Sequence, residues 1–184
     1  MTNRLFVSLE IPAEMKELLV KGSSGIYNDT DCKWESEEKL HITLKFLGDT
    51  EAGLTENIWQ DIIELSKKYN GFEIYFRGFK LIRRGGTPSM IWAEMYEKSG
   101  SLSEYVFGIN KAMKKHGIES ENRPFIPHIT LLRIRGREDI NKLINITNLK
   151  YDEYCFRASN IALVQSILMP EGSVYRKIKS TILE

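Results

Sequence analysis

The sequence predicts an α+β fold of two related lobes of antiparallel sheet, and three observations carry that prediction. Strand-like stretches cluster in hairpins and do not alternate regularly with helices. The tetrapeptide His-Ile-Thr-Leu occurs twice, at 41–44 and at 128–131, 87 residues apart (128 − 41). Each copy follows an amphipathic helix and an irregular stretch, so the same strand recurs in the same context. The length of 184 residues, 42% of them hydrophobic, suits a single two-lobed domain spanning 1–184 with a real core, one motif per lobe.

The elements are predicted in order as follows. Arg4 to Ile11 is a strand, with Phe6, Val7, Leu9 and Ile11 apolar and β-prone. Pro12 opens a helix carrying Met15, Leu18 and Leu19, which Gly22 stops. Gly22 to Asp31 is a polar loop, and Leu40 to Leu47 a strand. Ile58, Ile62, Leu65 and Tyr69 mark one face of a longer helix that ends before Gly71. Phe72 to Ile82 and Met90 to Tyr96 form strands, joined by a turn over Arg83 to Ser89 with Gly85, Gly86 and Pro88. Ser101 and Glu104 have the spacing of a capping box. The helix they open shows Leu102, Tyr105, Val106, Ile109 and Met113 on one face and stops at Gly117. Ile129 to Ile134 is a strand, and a short helix begins near Asp139. Phe156 to Leu168 and Val174 to Ile182 are strands, turning through Pro170 and Gly172.

Composition excludes several classes of protein. The chain carries 26 Lys and Arg against 25 Asp and Glu, a balance of +1 that argues against coating a nucleic-acid backbone. No apolar run is long enough to cross a membrane. The N-terminal MTNRLFVSLEIP is broken by Glu10 and Pro12 and does not read as a signal peptide. Cys32 and Cys155 have no metal-ligand spacing and read as free thiols. A cytoplasmic monomer is the default expectation.

Two of the three histidines open the repeated tetrapeptide. Along a strand, residues i and i+2 share a face. His41 therefore sits beside Thr43 and His128 beside Thr130, while Ile42, Leu44, Ile129 and Leu131 face the core. A single histidine on a half-buried strand is ordinarily structural. A decayed repeat, however, would keep the apolar pair without keeping both histidines and both threonines. Facing across a cleft, one neutral imidazole removes a proton from an attacking oxygen while the other, protonated, delivers one to a leaving oxygen. Each threonine hydroxyl can hold a non-bridging phosphate oxygen. The pair requires no metal or other cofactor, and two histidines without a third ligand make a poor zinc site.

The two His-x-Thr motifs resemble the signature of the 2H phosphoesterases. RLFVSLEIP, LHITLKFLGDT and RPFIPHITLLRIR are similar to the LigT-like branch of RNA 2′,3′-cyclic phosphodiesterases, also called 2′-5′ RNA ligases. The resemblance implies two α+β lobes with helices packed outside and a central cleft lined by both motifs. It implies hydrolysis of an RNA 2′,3′-cyclic phosphate end to a 2′-phosphate, together with a reversible 2′-5′ RNA ligase activity. His41 then corresponds to the proton donor, His128 to the proton acceptor, and Thr43 and Thr130 to substrate-binding residues. The expected partner is an RNA terminus or nucleotide bearing a cyclic phosphate. LVQSIL departs from the pattern, with Gln165 where many relatives have an acidic residue.

Three further residues are candidates for substrate binding. Lys45 shares the ideal strand face of His41 and Thr43. Arg133 has the opposite parity to His128 and helps only if its strand is bulged or if it acts from the rim. Arg123 precedes the Pro-Phe-Ile-Pro approach to the second motif. Two stretches lack carboxylates: 122–137, with Arg123, Arg133, Arg135 and Arg137, and 77–84, with Arg77, Lys80, Arg83 and Arg84. They offer a basic rim for an RNA end or, equally, charged strand edges. Trp34, Phe46, Trp92 and Phe125 are available for base stacking, although core packing is the commoner fate of aromatics. His116 is placed at a helix C-terminus, not in the chemistry. Two other functions fit the same residues: action on another cyclic phosphodiester or a 2′-5′ linkage, and nucleotide binding without turnover.

Overall fold

A computed structural model describes residues 1–23 and 32–183. The elements run β1 (Thr2–Glu10), α1 (Ala13–Ser23), β2 (His41–Glu51), α2 (Thr55–Ser66), β3 (Phe72–Arg84), β4 (Thr87–Tyr96), α3 (Ser101–Met113), β5 (His128–Arg133), α4 (Ile140–Thr147), β6 (Tyr154–Ala158), β7 (Asn160–Met169) and β8 (Gly172–Ile182). The strands form two four-stranded antiparallel sheets, in the orders β2-β1-β7-β8 and β5-β4-β3-β6. Each sheet holds one His-Ile-Thr-Leu strand, at its edge. No described helix is long and apolar enough to cross a membrane.

The sheets are not the two halves of the chain. The first takes both ends of the chain, β1 and β2 with β7 and β8, and the second takes the middle. One strand predicted over 156–168 is in fact two. The chain leaves the second sheet after Ala158 and enters the first at Asn160, with Ser159 alone between the two strands. The polar pair Ser159-Asn160 sits at the exchange, but with no glycine or proline beside it nothing separates it from the polar positions of a single strand.

Other departures are local. α1 continues through Gly22 to Ser23, whose hydroxyl donates to the Leu19 carbonyl at 2.7 Å. Most of the loop predicted over 22–31 lies outside the described residues. The β3–β4 turn is shorter than predicted: Gly85 and Gly86 at φ 55° and 82° form a two-residue hairpin turn of the kind that needs positive φ at both positions. The start of α3 is not held by Ser101 and Glu104. Instead the Glu97 carboxylate accepts from the backbone N–H groups of Ser99 and Gly100, at 2.8 Å each. The predicted face of α3 is buried throughout, and Gly117 closes it at φ 74°. Asp139 caps α4 by accepting from Asn141 N–H at 2.9 Å.

The main apolar core runs through both sheets and the four helices, including Leu9, Met15, Ile42, Ile62, Ile91, Ile109, Ile129, Leu143 and Leu163, and Phe6, Ala162 and Val164 form a small second cluster. Ile42 and Ile129, the two isoleucines of the repeat, are fully buried in it. They fix which face of β2 and β5 is left for the histidines and threonines.

Candidate active site

The pairing of β2 with β1 repeats in the pairing of β5 with β4. Glu10 lies opposite His41 and Ser8 opposite Thr43, while Glu94 lies opposite His128 and Trp92 opposite Thr130. The register then slips in both pairs at the same place. Val7 pairs Lys45 and Ile91 pairs Leu132, so Leu44 and Leu131 are extra residues in a β-bulge. A bulge reverses the alternation beyond it. Lys45 and Leu132 turn into the protein, and Phe46 and Arg133 turn onto the face that carries the histidines.

This decides two of the sequence candidates. Lys45 is only 2% exposed, and its ammonium donates to the Glu119 carbonyl at 2.7 Å. Burial lowers its pKa, against a smaller opposing effect of Glu121. It ties β2 to the loop leading into β5 and does not line the histidine cavity. Arg133 does reach the cavity, by the bulge that the sequence made a condition, while its side chain remains half exposed.

Both histidines, both threonines, Glu35, Lys39, Phe46, Arg133 and Tyr175 line one small cavity of about 40 Å³ between the sheets. The imidazoles are held alike. His41 Nδ1 lies 2.6 Å from the Lys39 carbonyl and His128 Nδ1 2.8 Å from the Ile126 carbonyl. A carbonyl only accepts, so each Nδ1 carries the proton and each Nε2 is the unprotonated, basic nitrogen. The Thr43 hydroxyl donates to His41 Nε2 at 3.0 Å. Aromatic rings fix both imidazole planes. Phe6 stacks on His41 with centroids 4.9 Å apart, Tyr175 meets its edge at 5.5 Å, and Trp92 stacks on His128 at 3.6 Å.

Burial pushes His41 down to about 4 from the ordinary 6.5. The Lys39 carbonyl opposes the shift in part, and nearby His128, Lys16 and Arg133 add to it. Burial also lowers His128, with the Ile126 carbonyl opposing and Arg133 adding. Without substrate, both imidazoles are therefore neutral at pH 7. An anion between them favours the protonated form of either.

Two larger pockets open from the cavity. One, of about 500 Å³, is walled by Phe46, Met90, Trp92, Pro124, Phe125 and Ile126, with Arg84, Arg123 and Arg133 at its polar side. Phe46 is 60% exposed there. The other, of about 330 Å³, is polar, with Lys33, Lys39, Arg133 and Arg135 against Glu35 and Glu171. Arg123 thus lines the apolar pocket, which shares Thr43, His128 and Thr130 with the histidine cavity, and not that cavity itself. The carboxylate-free stretch 77–84 contributes only Arg84. Arg77 covers the Tyr96 ring, Lys80 pairs with Glu94 and Arg83 donates to the Gly86 carbonyl. His116 pairs with Asp61 of α2 at 2.6 Å. Gln165 donates from its side-chain amide to Asn3. Among the described residues no group of acidic, histidine or cysteine side chains could hold a metal ion.

Besides Lys39, whose ammonium pairs with Glu35, sequence reasoning missed Glu35 and Tyr175. Glu35 enters because the segment before β2 pairs with the edge of β5, Glu35 N–H donating to the Leu131 carbonyl at 2.7 Å. Tyr175 enters from β8, through the first sheet's order. Neither lies in a motif, and nothing local to either residue marks it.

Two antiparallel sheets, each presenting one His-x-Thr strand to a shared cavity, define a two-histidine phosphoesterase fold. The chain belongs to the LigT-like phosphoesterases: the family model described as LigT like Phosphoesterase matches residues 9–92 and 95–175. The chain is 31% identical over 158 residues to the RNA 2′,3′-cyclic phosphodiesterase of Aquifex aeolicus, covering 82% of this chain and 81% of that one. It is 28% identical to the protein of that name from Methanocaldococcus jannaschii, covering 96% and 98%. Among solved structures, E. coli LigT complexed with 3′-AMP superposes with a TM-score of 0.74 at 20% identity, covering 100% and 99%.

Proposed function

We propose that this protein hydrolyses the 2′,3′-cyclic phosphate at an RNA end to a 2′-phosphate, by paired histidine acid–base catalysis. The observation that carries the reading is the duplicated imidazole geometry: two rings, each fixed by an Nδ1–H to carbonyl bond that leaves Nε2 unprotonated, lining one cavity with two threonines. The name shared by the relatives supports the choice of substrate. His128 Nε2 takes a proton from water as its oxygen bonds to phosphorus. The P–O3′ bond breaks, and O3′ leaves with a proton from His41. Thr43 and Thr130 donate to non-bridging oxygens, and Arg133 offsets the charge that builds on them. With an RNA 5′-hydroxyl in place of water as the attacking group, the same step and the same groups make a 2′-5′ linkage. A base fits the apolar pocket, whose Phe46 and Phe125 offer aromatic faces.

The test is a short 5′-labelled RNA ending in a 2′,3′-cyclic phosphate, incubated in EDTA. The expected product carries a 2′-phosphate. His41→Ala and His128→Ala each lose about 10²–10⁴-fold in turnover while keeping the wild-type circular dichroism spectrum. A 3′-phosphate product, or full activity in either variant, overturns the reading.

A further inference from the structure

A site built only to attract phosphate would have no carboxylate in it, yet Glu35 lines the cavity with both histidines. It is not a stray surface group. Its backbone is paired to β5 between His128 and Arg133, and its side chain is only 20% exposed. One carboxylate oxygen lies 3.5 Å from Arg133 Nε, and the other 3.8 Å from Lys39 Nζ. The two cations that line the cavity are thus already partly neutralised before any ligand arrives.

We propose that Glu35 makes the cleft selective for a singly charged phosphodiester over a doubly charged phosphomonoester, and so speeds release of the product. The inference rests on the proposed activity. A 2′,3′-cyclic phosphate carries one negative charge. Hydrolysis adds an oxygen and leaves a monoester whose second ionisation falls near pH 6, so above neutrality it carries about two. With Glu35 in place, the cations balance one ligand charge and the second meets the carboxylate. One extra unit charge about 6 Å away in a wet cleft corresponds to about tenfold in affinity. A substrate that becomes more repelled on reacting leaves the site, whereas an uncompensated basic cavity would hold its product.

The experiment uses two matched inhibitors at pH 8, 3′-deoxyadenosine 2′-phosphate and its 2′-methyl ester. Neither has the vicinal hydroxyl needed to cyclise, and they differ by one charge. Glu35→Gln keeps the shape of the side chain and removes its charge, and is expected to shift the ratio of the two inhibition constants about tenfold toward the monoester. Glu35→Asp keeps the wild-type ratio. A structural role alone would change both constants together. An unchanged ratio in a folded Glu35→Gln protein overturns the proposal. Should that variant not fold, the wild-type protein carries the decision: it must bind the methyl ester more tightly than the monoester, and the opposite preference overturns the inference. Failure of the proposed activity is seen separately, as wild-type protein that leaves cyclic-phosphate RNA intact while still choosing between the two inhibitors.

Discussion

At the scale of single residues, the two histidines differ in what they need. Each has its Nδ1 proton committed to a carbonyl, so only Nε2 is available to exchange a proton with substrate. Burial lowers both, and His41 further, to about 4. The residue matched to the proton donor is therefore the one that least holds a proton in the empty cleft, and it depends on the substrate anion to recruit one. This gives a pH prediction with a definite sign. The ratio kcat/KM reports the free enzyme, where both groups titrate below 6.5, so it should fall as pH rises from about 6 to 8. At saturation the phosphate anion favours the imidazolium, so the kcat profile should lie at higher pH than the kcat/KM profile. Parallel pH profiles of the two constants check this, and coincident profiles would count against anion-driven protonation. The histidines and threonines were legible in the sequence because a repeated motif stands out from ordinary strand composition. Glu35 and Tyr175 were not, since each reaches the cavity through strand pairing that leaves no local pattern.

At the scale of the element, one inserted residue just beyond each motif decides what the cleft is made of. Strict alternation puts Lys45 beside His41 and sends Arg133 and Phe46 away. The bulges at Leu44 and Leu131 reverse all three assignments. Alternation was sound over His-x-Thr, where the ladder is regular, and failed two residues later. A bulge depends on the neighbouring strand as well as on its own, so the sequence of β2 or β5 alone does not reveal it. Substitution separates the two sides of the bulge. Phe46→Ala should weaken substrate binding by about 1–3 kcal/mol, the usual worth of one base-stacking ring. Lys45→Met should leave the salt dependence of binding unchanged, because its ammonium is spent on the Glu119 carbonyl and not on phosphate. A cation touching phosphate would lower the salt slope by about one when removed. KM measured across a salt series for both variants reads the difference, and a reduced slope for Lys45→Met would return that lysine to the phosphate.

At the scale of the whole molecule, the repeat is real in the strands but the chain is threaded between them. The motif recurs at nearly half the chain length, which suggests two successive halves. The sheets instead interleave, because β3 and β4 precede the second motif and β7 and β8 return to the first sheet. Neither sheet closes until almost the whole chain is present, and the core is continuous through both. The protein should therefore unfold in one step. Far-ultraviolet circular dichroism and tryptophan fluorescence should give coincident denaturant transitions, although Trp34 and Trp92 sit near the second sheet and Trp59 on α2. The buried histidine adds a pH dependence to that single transition. His41 binds its proton near pH 4 in the folded state and near 6.5 when unfolded, so between those values the unfolded chain holds more protons. Stability from keeping His41 neutral is present in full above about pH 6.5 and is lost progressively as pH falls toward 4, a change on the order of 2–3 kcal/mol. His41→Gln, which cannot ionise, should flatten the curve over that range and leave the transition two-state. Urea midpoints at pH 7 and pH 4.5 for the two proteins measure it. Equal losses in both would mean that the acid sensitivity arises elsewhere, and two separated transitions would mean that the interleaved sheets fold independently.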